Sequence, residues 1–168
     1  MNIIVACITS RVYKYVFTPL YLVRIYDKPP GSQPIKETDW ILIVDDEFDI
    51  ISVFKKGLEK NGFRVSGFTE PSLALDHFQI NHEKYSLVIS DCRMPGINGY
   101  ELVKKVKEIK PGVKVFLMTA FQIDDTEFRS VLPGVEIEGL IEKPISLANL
   151  ASTVSKYIPS RYNKIVTD

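Results

Sequence analysis

The stretch Tyr85-Ser86-Leu87-Val88-Ile89-Ser90-Asp91-Cys92-Arg93-Met94-Pro95-Gly96-Ile97-Asn98-Gly99 decides the architecture of this chain. Tyr85 to Ser90 reads as a strand, a turn-rich loop follows Asp91, and Gly99 to Ile109 reads as a helix with Leu102, Val103, Val106 and Ile109 on one face. A strand that hands over to an amphipathic helix in this way, repeated along a chain, predicts a parallel sheet covered on both faces.

The repetition is present from Trp40 onward. Trp40 to Val44 is a near-continuous apolar run, as expected of a strand buried on both sides. A helix over about residues 47–60 follows, with Phe48, Ile51, Phe54 and Leu58 on one face and Asn61-Gly62 as its stop. Phe63 to Phe68 is the second strand, and Thr69 is the expected cap of a helix that has Pro71 in its first turn and Leu75 and Phe78 facing inward. Pro111-Gly112 ends the Gly99–Ile109 helix before a strand at Val113 to Met118. The helix after it should be short and irregular, because Pro133-Gly134 arrives soon after Asp124-Asp125. Ile137 to Ile141 is the fifth strand, and Ser146 caps a last helix carrying Leu147, Leu150, Ala151, Val154 and Ile158 at helical spacing. The expected fold class is α/β, a doubly wound sheet of five parallel strands.

Composition bounds the rest. A chain of 168 residues, 45% hydrophobic and 25% charged, has room for one domain with a substantial core and a short appendage. Lys plus Arg and Asp plus Glu are both 21, so no global field draws the protein to nucleic acid, and direct DNA binding is not expected. Cys7 and Cys92 match no metal or disulfide spacing, which fits a reducing cytoplasmic setting. Ile3 to Ile8 is too short to span a bilayer, and Arg11 and Lys14 follow it, the wrong order for a secretory signal. Tyr13, Tyr15, Phe17, Tyr21 and Tyr26 interleave with Arg11, Lys14, Arg24 and Lys28 without a helical stripe, so a flexible or loosely packed extension is expected there in preference to a membrane contact. Asp27-Lys28-Pro29-Pro30-Gly31-Ser32-Gln33-Pro34 is a linker. The organisation is an extension and linker over 1–38, one domain over 39–158, and a short tail over 159–168.

Ligands of open parallel sheets bind in the crevice at the carboxyl ends of the strands. Asp45-Asp46 follow the first strand, Asp91 the third, Thr119 the fourth and Lys143 the fifth. Taken singly, each has an ordinary reading: a helix cap, a turn former, a strand residue, a solvated lysine before a proline. Together they put three carboxylates on one rim. Such carboxylates raise one another's pKa unless a cation holds them, and hard oxygen donors without histidine suit Mg²⁺.

Ile41 to Glu47, Leu87 to Gly99, Met118-Thr119-Ala120 and Glu142-Lys143-Pro144 resemble the signature blocks of response-regulator receiver domains, in order and spacing. The resemblance covers about residues 39–158 and implies a flavodoxin-like (βα)5 receiver fold. It implies that Asp91 accepts a phosphoryl group from a phosphohistidine of a sensor histidine kinase or phosphotransfer protein. It further implies that Asp46, Asp91 and the Arg93 carbonyl hold Mg²⁺ while Asp45 orients its waters. Lys143 and Thr119 would contact the phosphoryl oxygens, and a cis peptide before Pro144 would aim Lys143. Partners would be the kinase and an unknown downstream protein, with a weak homodimer as a further option. This chain departs from the family pattern at Leu140, where members usually carry an aromatic switch residue, and in the stretch Phe128 to Glu138. Arg93 and Phe121, two residues after Asp91 and Thr119, are placed to screen an aspartyl phosphate from water, which predicts slow hydrolysis.

His77 and His82 fall on different faces and read as surface residues, and Cys92 as a space-filling neighbour of Asp91. Three function classes follow: a phosphorylation switch without an output domain of its own, a scaffold module that keeps the fold without the chemistry, and a phosphatase of the haloacid dehalogenase type. Retention of Asp46, Asp91, Thr119 and Lys143 favours the first. The third wants a second aspartate two residues after the nucleophile, where this chain has Arg93.

Overall fold

A computed structural model describes residues 3–8, 11–18, 21–25, 39–120 and 133–160. The chain divides into two units, Met1–Pro34 and Ile35–Asp168.

The first unit contains β1 (Ile3–Ile8), β2 (Arg11–Thr18) and β3 (Tyr21–Ile25), an antiparallel meander in the order β1-β2-β3. Ile8 pairs with Arg11 and Thr18 with Tyr21, so each connection is two residues long. The sequence reading assigned no strands here. Aromatic and β-branched residues at successive positions favour extended backbone, and a search for helical stripes does not detect that preference.

In the second unit, β4 (Trp40–Val44), β5 (Arg64–Phe68), β6 (Tyr85–Asp91), β7 (Lys114–Thr119) and β8 (Gly139–Glu142) form one parallel sheet in the order β5-β4-β6-β7-β8. The helices are α1 (Phe48–Lys60), α2 (Pro71–Asn81), α3 (Gly99–Ile109) and α4 (Leu147–Ser155). This is the doubly wound five-stranded parallel sheet expected from the sequence. The helix expected between Asp124 and Pro133 lies outside the described residues.

Alternation within each strand divides the core in two. Ile41, Ile43, Leu87, Ile89, Phe116 and Met118 pack with Ile51, Phe54 and Leu58 of α1 and Leu150 and Val154 of α4. Leu42, Val44, Val88, Val115 and Leu117 pack on the other face with Ala74, Leu75 and Phe78 of α2 and Leu102, Val103 and Val106 of α3. Both faces are dry, so the strands need apolar residues at every position, and that need produced the continuous runs seen in the sequence.

Two local expectations are corrected. Phe48 is 71% exposed: the buried stripe of α1 begins one turn later, at Ile51, because the first turn stands beside the loop at the strand ends. The residue capping α2 is Glu70 and not Thr69, and its side chain makes no cap bond; it accepts instead from the Ser72 hydroxyl at 2.7 Å.

The loop from Asp91 to Gly99 closes tightly. Gly99 N–H donates to the Cys92 carbonyl at 3.1 Å, and Asn98 caps α3 by accepting from Glu101 N–H at 3.0 Å. A Cβ on Gly99 would stand 2.0 Å from the Asp91 carbonyl oxygen and 2.9 Å from its carbon, both of them backbone atoms that cannot turn aside. Gly112, by contrast, has nothing within 4 Å of such a Cβ. Gly99→Ala should therefore cost about 3 kcal/mol in denaturant unfolding, and Gly112→Ala should stay within about 0.5 kcal/mol of wild type; equal effects would show that the loop tolerates displacement.

Candidate functional site

The sheet order makes β4, β6, β7 and β8 consecutive neighbours, so their carboxyl ends lie side by side. Asp91 and Thr119 are the last residues of β6 and β7, while Asp45 and Lys143 are the first residues beyond β4 and β8. Backbone bonds lock these ends together. Lys143 N–H donates to the Thr119 carbonyl at 2.7 Å, Cys92 N–H to the Met118 carbonyl at 2.9 Å, and Asp45 N–H to the Phe68 carbonyl at 3.2 Å. The Lys143–Pro144 peptide is cis.

On this frame the Lys143 ammonium bridges two carboxylates. Its Nζ lies 2.7 Å from Asp45 Oδ2 and 2.5 Å from Asp91 Oδ1. The second oxygens are held by backbone donors: Glu47 N–H donates to Asp45 Oδ1 at 3.0 Å, and Arg93 N–H to Asp91 Oδ2 at 2.7 Å. Asp45, Asp91 and Thr119 are all buried.

Burial pushes the Asp45 carboxyl above its ordinary pKa, against the opposing pull of Lys143 and Glu47 N–H. Burial also works against the Lys143 ammonium, but its bonds to Asp45 and Asp91 outweigh this and raise its pKa. The two shifts disagree, since a raised carboxyl favours a neutral pair and a raised ammonium favours an ion pair. The short contacts to two carboxylates decide for the ion pair, so Lys143 is held as a cation.

Asp46 is separated from its neighbour. It is exposed, and it lines a cleft of about 540 Å³ with Arg93, Met94, Asn98 and Tyr100. Among the described residues no three His, Cys, Asp or Glu side chains form a ready-made metal cage. The donors present fit Mg²⁺ in another way. Three carboxylates and one ammonium leave a formal charge of −2, and Mg²⁺ characteristically takes one or two protein carboxylates and keeps several waters.

Several expectations find their place here. Cys92 is buried and burial pushes its thiol pKa up, which leaves it a packing residue. His77 is not a surface histidine: it is half-buried, with Nε2 2.8 Å from the Tyr85 hydroxyl, and burial lowers its pKa. Leu140 is half-buried and packs with the Leu42 side of the core. Phe121 lies outside the described residues. Trp40 opens β4 at the end opposite Asp45, roughly 15 Å away by strand rise, beneath the Lys84 and Arg64 side chains. The backbone donors of Glu47 and Arg93 were missed by sequence reasoning, because any residue type supplies an N–H.

The family profile described as response regulator receiver domain matches residues 41–155. Sporulation initiation phosphotransferase F of Bacillus subtilis is 30% identical over 125 residues, which cover 73% of this chain and 96% of the relative. Response regulator receiver protein CpdR of Brucella abortus is 30% identical over 118 residues, covering 70% of this chain and 95% of that protein. Among solved structures, a CheY-like receiver domain protein of Methanospirillum hungatei superposes with a TM-score of 0.62 at 26% identity, over 70% of this chain and 91% of that one. Chemotaxis protein CheY4 of Vibrio cholerae shares the fold with a TM-score of 0.64, over 72% of this chain and 99% of its own. The signature residues, the strand order and these relatives agree, and the chain belongs to the response regulator receiver domain family of two-component signalling proteins.

Proposed function

We propose that Asp91 is the phosphoacceptor of this receiver, taking a phosphoryl group from a phosphohistidine of a sensor histidine kinase or phosphotransfer protein. The observation that carries this reading is the Asp91 carboxylate itself: it ends a central strand, it is bonded to a lysine ammonium at 2.5 Å, and it adjoins a cleft open to solvent. In the transfer a carboxylate oxygen of Asp91 attacks the phosphorus, the N–P bond breaks, and its electron pair returns to the imidazole. Phosphoryl transfer is mainly positioning and charge neutralisation. Lys143 is placed to follow the oxygen it already holds and to offset charge on the phosphoryl group. Arg93 N–H fixes the carboxylate plane, and Thr119 stands at the neighbouring strand end as a hydroxyl for a phosphoryl oxygen. Receiver domains of this family generally bind Mg²⁺; here Asp46, Asp91 and the Arg93 carbonyl would hold it, with Asp45 orienting its waters, and when bound it supplies further neutralisation. The phosphorylated domain then acts by contact with a downstream protein in the cytoplasm, resetting slowly by hydrolysis of its own aspartyl phosphate.

Incubation with a small phosphodonor and Mg²⁺, followed by intact mass measurement, should show one added phosphoryl group on wild type, tolerant of mild acid and labile in base. Asp91→Asn should show none, and chelation of the metal should suppress labelling. Equal labelling of the variant would overturn the assignment, and an unmodified wild type would favour a scaffold that has kept only the fold.

Lys143→Met should separate the stabilising and chemical roles of the bridge. It leaves Asp45 buried without its cation, which should cost about 3 kcal/mol at neutral pH. Asp45 has a folded pKa above its unfolded value, so the folded state binds this proton more tightly. The deficit should therefore shrink as pH falls through that raised pKa, when the buried group becomes neutral, and persist above it. A deficit independent of pH would show that Asp45 is not the stranded charge.

Arg93 is exposed at the cleft beside Asp91, where a guanidinium can cover the phosphoryl group and exclude an in-line water. Arg93→Asn should shorten the lifetime of the purified phosphoprotein, read as loss of the added mass with time. An unchanged decay would remove Arg93 from the control of hydrolysis.

A further inference from the structure

The residues assigned to the receiver chemistry all lie beyond the Met1–Pro34 unit, and the family match begins only at residue 41. Register places Ile3, Val5, Cys7, Val12, Lys14, Val16, Thr18, Tyr21, Val23 and Ile25 on one face of its sheet. Ile4, Ala6, Ile8, Arg11, Tyr13, Tyr15, Phe17, Leu22 and Arg24 share the other. A surface sheet ordinarily alternates one apolar face with one polar face. Here both faces are mainly apolar, so alternation marks no solvent face, and the edges are what set the two sides of the sheet apart.

The two edges of the described sheet differ. The β3 edge carries Arg24, and Asp27-Lys28-Pro29-Pro30 follow within a few residues, charges and prolines of the kind that stop strand addition. The β1 edge is Ile-Ile-Val-Ala-Cys-Ile, without a charge, proline or glycine to block it. An unprotected edge of high β-propensity is a template for another strand. An antiparallel partner identical to β1 is available in a second copy of this chain, related by a two-fold axis normal to the sheet, an arrangement that satisfies both edges at once.

We infer that this unit is a self-association module, in which β1 pairs antiparallel with β1 of a second copy and joins two three-stranded meanders into one six-stranded sheet. The pairing continues each face across the axis and leaves the better-protected β3 edges outermost. In the symmetric registers centred near the middle of β1, the two Ala6 positions are direct or diagonal cross-strand neighbours on one face, so charges placed there sense each other.

The full chain should sediment as a dimer at micromolar concentration. Ala6→Lys and Ala6→Glu should each sediment as monomers, and an equimolar mixture of the two should regain the dimer mass. That recovery separates a broken interface from a misfolded meander, because two misfolded variants would not restore each other. Each variant should still accept one phosphoryl group from a small phosphodonor, which keeps this test distinct from that of Asp91. A monomeric full chain, single variants that stay dimeric, or a mixture that stays monomeric would overturn the proposal. So would a monomer that cosediments with phosphatidylserine vesicles, since the unit would then be covered by a bilayer.

Discussion

The bridge from Lys143 to Asp45 and Asp91 is the contact on which the site depends. Two carboxylates buried side by side repel each other and resist ionisation, and they remain available as anions only where a cation stands between them. Holding that cation in place sets demands on the chain far from the contact. β8 must pair with β7 so that Lys143 emerges beside Thr119, and the Lys143 N–H to Thr119 carbonyl bond fixes that exit. β6 must end at Asp91, and the loop beyond it must fold back closely enough that Gly99 touches the Asp91 backbone. The dry core on both faces of the sheet lets four strand ends act as one rigid platform.

The strands were legible because double burial forces apolar runs, and the helices because single-sided burial forces stripes. Asp91, Thr119 and Lys143 were legible from their position after those runs. The burial of Asp45 and the exposure of Asp46 were not. Adjacent carboxylates look alike in a sequence, yet the chain buries Asp45 against Lys143 and turns Asp46 out to the cleft. What separates them is the backbone bend after β4, a feature of conformation that residue type does not encode. Contacts that recruit unremarkable residues were equally silent. Lys110 donates to the carbonyls of His82, Glu83 and Tyr85 at 3.1, 3.2 and 2.9 Å and ties down the entrance to β6. The carboxylate of Glu138 accepts from Val115 N–H and extends the pairing of β7 ahead of β8. Neither residue is singled out by the sequence pattern.

The meander at residues 3–25 shows the opposite difficulty. Its aromatic and β-branched residues carry no helical stripe, and a β-rich segment lacks that stripe whether or not it is structured. Period-two alternation is also blurred there, because apolar residues occupy both faces. A segment of that kind reads as featureless until the strand register is known.

Chemical mapping of the modified residue decides whether Asp91 is the phosphoacceptor. Borohydride reduces an aspartyl phosphate to homoserine and leaves free carboxylates intact, so reduction of the phosphorylated protein followed by peptide sequencing in a mass spectrometer reads the acceptor position. Homoserine is expected at position 91 alone. Homoserine at 45 or 46, or its absence from a protein that carries the added phosphoryl mass, would contradict it.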